Sequence, residues 1–150
     1  MRVTPTDRQP SLALARGLPF AVFASLCIWD AGRAPLGRHG FELAMDVSPA
    51  AIALALTKTK HMTVVAVVFL LATLAVSLNR LGLAFALTNA VGLTWELAQT
   101  TVVGHSARVA DLAPNVVVAT GCGLILLLAR EIARRRRGAT GERDGHPTMR

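Results

Sequence analysis

The chain has 150 residues, enough for one domain, of which 53% are hydrophobic and only 17% charged, with a mean hydropathy of +0.48. A soluble domain of this size needs more polar residues to cover its surface, so the composition points to a bilayer. The net charge of +7 would suit nucleic acid or a membrane surface, but its densest block, Arg134–Arg137, abuts an apolar run, which excludes nucleic acid as the partner and makes the block an orientation and lipid-headgroup signal.

The first apolar run, Leu12–Trp29, contains Arg16, Gly17 and Pro19. Its Cys27 follows Leu26, where a lipoprotein cleavage site needs a small residue, so the run reads as a retained anchor. Cys27 and Cys122 both lie in apolar runs and read as small buried hydrophobes, with no disulfide or metal-ligand spacing. A loop of Asp30–Lys60 follows. Within it, Ser48-Pro49 reads as a helix start, with Ser48 as N-cap and Pro49 at the first helical position. The apolar stretch Ala50–Leu56 is expected either to lie in the membrane interface or to continue into the second run.

That second run, Met62–Leu78, carries no charge. Only Asn79-Arg80 separates it from the third, Leu81–Val103, and so short a link forces an antiparallel hairpin. After a loop of about Gly104–Arg108, the fourth run spans Val109–Ala129. Each run is close to the ~20 residues that cross about 30 Å of hydrocarbon, and a spanning helix satisfies its own backbone. The expected fold is all-α: an integral membrane four-helix bundle with short loops over residues 1–133, then a basic disordered tail over 134–150. Trp29 and Trp95 fit an aromatic belt, and Gly121 and Gly123 fit close helix contact.

Four crossings put both termini on one side. That side collects every lysine and arginine except Arg33, Arg38, Lys58, Lys60 and Arg108. The positive-inside rule therefore places both termini and the Asn79-Arg80 turn in the cytoplasm, with the long first loop and Gly104–Arg108 outside.

Ionisable groups at membrane depth are costly and are kept when they face a bundle interior. In the third run Asn89, Gly92, Glu96 and Gln99 fall at i, i+3, i+7 and i+10, on one helical face. In the fourth, Asp111 and Asn115 lie at i, i+4; Lys58 and His61 lie at i, i+3 before the second. The topology brings these ends together. Lys58, His61, Glu96, Gln99, Arg108, Asp111 and Asn115, with His105 nearby, are expected to form one outward-facing ligand-binding cluster. The alternative for each is structural: Glu96 paired with Arg108 or Lys58, and Asp111 with Asn115 capping the fourth helix.

These residues resemble the motifs of the VanZ-like family of small bacterial membrane proteins. The family carries Asp-Lys-x-x-His at the start of one membrane helix, Glu-x-x-Gln near the end of the next, and a Gly-Arg loop leading to Asp-x-x-x-Asn. Here Thr57-Lys58-Thr59-Lys60-His61 stands at the first, Glu96-Leu97-Ala98-Gln99 at the second, and Gly104–Arg108 leads to Asp111-Leu112-Ala113-Pro114-Asn115 at the third. Thr57 replaces the family's Asp, His105 its loop Arg, and Val65 its Tyr one turn after the His. The likeness covers Thr57 to Gly123. It implies a bacterial cell-membrane protein of the envelope, in a family whose namesake is linked to teicoplanin resistance, with membrane lipids and a lipid-linked or glycopeptide-like ligand as partners and no cofactor or metal.

Two functions remain open at this stage. One is a binding protein for a lipid headgroup or glycopeptide-like ligand. The other is an intramembrane enzyme on a lipid-linked substrate, with His61 or Glu96 as general acid or base. No Ser or Cys nucleophile sits beside a base in the cluster, so covalent catalysis has no candidate.

Overall fold

The computed structural model describes residues 9–141, with side chains from 14 to 137. Five α-helices follow in order: α1 Gln9–Ala31, α2 Pro49–Ala55, α3 Thr59–Val76, α4 Leu81–Gln99 and α5 Leu112–Gly141. Single 3-10 turns, Leu78–Arg80 and Val109–Asp111, lead into α4 and α5. Four of the helices, α1, α3, α4 and α5, are long and apolar enough to cross a membrane. No strand beyond isolated bridges occurs among the described residues.

Helices α3 and α4 pack on each other and each on both α1 and α5, so they form the middle of the bundle, with α1 and α5 flanking them. The fully buried centre is Phe69, Ala72, Ala84 and Ala119. One aromatic ring among three alanines lets the helices approach closely. The outer faces are the reverse of a soluble protein's: Leu74, Ile125, Leu128 and Leu18 are all more than 60% exposed. Apolar surface spread this widely suits hydrocarbon, not water.

The α3–α4 link is tighter than a loop. Ser77 ends α3 at φ +79°, ψ 154°, a region that side chains rarely adopt, and the 3-10 turn that follows feeds directly into α4. Pro114 lies in the first turn of α5, where its missing N–H has no helical partner to lose.

One expectation is refined, one open alternative is decided and one boundary moves. First, the loops are not all short. Between Ala31 and Pro49 run 17 residues, 32 to 48, and they are stitched by main chain to the α4–α5 connection. The N–H groups of His39, Glu42 and Ala44 donate to Thr101, Thr100 and Ala107 carbonyls at 2.8–3.0 Å, and Val109 N–H donates back to Ala44 at 2.9 Å. Such pairing satisfies backbone groups that a free loop would leave to water. Second, the Pro49–Lys60 stretch is not one long helix with α3. Helix α2 is separate, capped by Ser48 Oγ accepting from Ala51 N–H at 3.3 Å, with Pro49 in the first turn. Lys58, at φ −77°, ψ 73°, breaks the chain from α2 into α3. Third, α5 stays helical through Gly141, past the boundary expected at 133. The rest of the expected tail, 142–150, lies outside the described residues.

Candidate functional site

The polar cluster lies where the start of α3, the end of α4 and the start of α5 meet. Lys58 sits at the N-cap of α3, outside the helix proper, so its side chain is free to reach α5. Its Nζ donates to both carboxylate oxygens of Asp111, at 2.7 and 2.6 Å. Asp111 is only 3% exposed, whereas the Lys58 side chain is 42% exposed. Thr57, at the position of the family's Asp, instead bonds back to the Leu54 carbonyl at 2.7 Å and closes the end of α2.

One turn into α3, His61 Nε2 meets Asn115 Oδ1 at 2.9 Å. The imidazole also stands edge-on to Trp95, centroids 5.6 Å apart and planes at 67°. Asn115 is completely buried, and its Nδ2 has no hydrogen-bond partner. Gly92 lies directly beneath it: a Cβ at Gly92 would overlap the Asn115 amide. The close helix contact expected at Gly121 and Gly123 is therefore made at Gly92. A Cβ at Gly121 would meet nothing within 4 Å, and one at Gly123 would touch Phe69 at an ordinary 3.6 Å.

Glu96, one turn beyond Gly92, is 4% exposed. Its Oε2 accepts from the main-chain N–H of Arg108 at 3.2 Å. The carboxylate is within electrostatic reach of both Asp111 and Lys58, so the three form one charge group. Arg108 itself is half-buried, and its guanidinium influences Asp46.

The structure thus joins Lys58 to Asp111, His61 to Asn115, and Glu96 to Arg108 through its backbone. It does not tie the Gln99 side chain into the cluster: half-buried Gln99 closes α4 through its carbonyl, which accepts from Val102 N–H at 3.0 Å. His105 is exposed in the turn. Asn89, on the same face by spacing, bonds back to the Phe85 carbonyl at 2.9 Å. Trp95 belongs to the site instead of serving only as a belt residue. Its signal was adjacency, because it precedes Glu96 and follows Gly92 by three positions. Among the described residues no group of three or more His, Cys, Asp or Glu comes together to hold a metal.

Space decides what the site can hold. The gap between His61, Thr88, Gly92, Trp95 and Asn115 is about 10 Å³, far below the ~300 Å³ at which ligand pockets begin. The Lys58 side chain is exposed at the mouth of the cluster. No protein-family model, no curated protein and no solved structure matches the chain.

Proposed function

We propose that this is a VanZ-like, multi-pass protein of the bacterial cell membrane, with both termini cytoplasmic, whose cluster binds an anionic group at the outer surface. That group belongs to a lipid headgroup or a glycopeptide-like ligand, which gives the protein its envelope role and its link to antibiotic resistance. The observation that carries the reading is the segregation of charge: both carboxylates, Glu96 and Asp111, are buried, while the Lys58 side chain is 42% exposed. Two of the three ammonium N–H donors bond Asp111, which leaves one for an anionic visitor at the mouth. The residues of the three motifs partner one another, Lys58 with Asp111, His61 with Asn115, and Glu96 with the Arg108 main chain, as a single site needs. The binding reading is preferred to the enzymatic one because His61 is hydrogen-bonded to a buried amide and walled by Trp95, with no room for a substrate beside it.

Trp95 supplies the test. The chain has two tryptophans, and the other, Trp29, lies at the end of α1 and is 63% exposed. In a Trp29→Phe background, Trp95 emission should shift saturably when nanodisc-embedded protein is titrated with glycerol phosphate or with teicoplanin. In Lys58→Met/Asp111→Asn, which removes both members of the ion pair, the response should weaken about tenfold or more, the worth of a charge-assisted hydrogen bond. A double variant that responds like the parent, or a parent that responds to neither probe, would refute the proposal.

A further inference from the structure

The opposite end of the bundle carries a second feature. There α1 and α5 stand apart on either side of α3, and a cleft of about 740 Å³ opens between them, walled by Leu74, Leu78 and Leu126 with Arg16 at its edge. A second cavity of about 530 Å³ shares Leu78 and Leu126 and continues along α5 to Arg130 and Arg134. Both volumes fall in the range of ligand pockets, about 300–1,000 Å³. The walls are almost wholly apolar and the rim is arginine.

Charge complementarity says what fills it. Arg134 is already paired with Glu131 at 2.9 Å. Arg16 and Arg130 have no hydrogen-bond or ion-pair partner among the described residues. Arg16 lies within α1, four residues into the apolar run that begins at Leu12. A guanidinium at that depth reaches for the headgroup layer while its stem lies along apolar surface. A phosphate oxyanion at that arginine rim, with its acyl chain along the leucine wall, answers both features together. A zwitterionic headgroup would bring its own cation against the arginines.

We infer that the cleft between α1, α3 and α5, with the cavity that adjoins it at Leu78 and Leu126, is a binding site for one anionic phospholipid, its phosphate drawn to the arginine rim that Arg16 lines in the first and Arg130 in the second, and one acyl chain lying against Leu74, Leu78 and Leu126. The inference rests on the membrane placement proposed above, but not on any ligand of the Lys58 cluster.

The test is native mass spectrometry of protein released from nanodiscs containing equal phosphatidylglycerol and phosphatidylcholine. The parent should retain phosphatidylglycerol preferentially. Arg16→Gln and Arg130→Gln should each lower that retention about fivefold. Arg80→Gln removes the same charge from the same end, outside both cavities, and should leave retention at the parental level. Leu74→Trp, at a position 67% exposed and so tolerant of a larger ring, fills the cleft without changing charge and should also abolish the preference. An Arg80→Gln effect equal to that of Arg16→Gln would overturn the inference in favour of diffuse attraction. So would unchanged retention in Leu74→Trp, or displacement of the lipid by glycerol phosphate alone. Failure of the chain to require detergent or nanodiscs at all would overturn the membrane reading together with the cleft.

Discussion

Gly92 and Asn115 are matched residues. The glycine leaves room for an amide that is completely buried, and the amide in turn bonds the His61 ring. Gly92→Ala should therefore lower stability by a net ~1–2 kcal/mol, even though alanine is the better helix former by about 0.5–1 kcal/mol, because overpacking a tight contact outweighs the propensity gain. The check is thermal unfolding in detergent, run as a double-mutant cycle. Asn115→Ala removes the group that Gly92→Ala would strike, so adding Gly92→Ala to it should cause no further loss. Strictly additive losses would mean that the two helices do not meet there. A reader of the sequence could place Gly92 on the polar face from its spacing to Glu96. What that reader could not see was which residue across the interface needed the missing side chain.

At the scale of elements, α2 owes its independence to its two ends. Ser48 caps its start, and Lys58, committed to Asp111, ends the connection before α3 begins. Ser48→Ala should cost about 1 kcal/mol of local stability and raise amide exchange over 49–55, with little change in α3. The same turn should respond to acid. Ser48 N–H donates to Asp46 Oδ1 at 2.8 Å, and this bond holds the Asp46 carboxyl below the ordinary aspartate range. A lowered folded value means that the contribution is complete above the unfolded value and disappears as pH falls through the folded one. Protection of the α2 amides, taken relative to their intrinsic exchange rates at each pH, should therefore fall on acidification, and Asp46→Asn should remove that dependence. The sequence displayed the four long helices because unbroken apolar length alone decides them, and it displayed the Ser48-Pro49 start because capping is local. It could not separate α2 from α3, since Leu56-Thr57-Lys58 contains no Gly or Pro and the break comes from a bond to a residue 53 positions away. Nor could it show the pairing of residues 39–44 with 100–109, which runs through backbone atoms and leaves no side-chain pattern. For the same reason Glu96 could be placed but not its partner, which is the Arg108 main chain and not its guanidinium.

The whole molecule is electrically two-ended. At the cluster end Arg33, Arg38, Lys58, Lys60 and Arg108 face five carboxylates, those of Asp30, Glu42, Asp46, Glu96 and Asp111. At the other end, among the described residues, Arg16, Arg80, Arg130 and Arg134–Arg137 face Glu131 alone. Orientation in a membrane follows Lys and Arg near the span ends, not net charge, and on either count the proposed orientation has the arginine-rich end in the cytoplasm. This can be read directly after Cys27 and Cys122, the only cysteines, are replaced by alanine. His105→Cys and Arg80→Cys both alter exposed positions, one at each end. In intact cells a membrane-impermeant maleimide should label position 105 and leave position 80 untouched until the membrane is opened. Labelling of 80 alone would invert the bundle: the Lys58 mouth would then face the cytoplasm, away from any outer-surface ligand, and the arginine cleft would face the outer leaflet. Labelling of both from outside would contradict the hairpin of α3 and α4, since a single span separates the two positions.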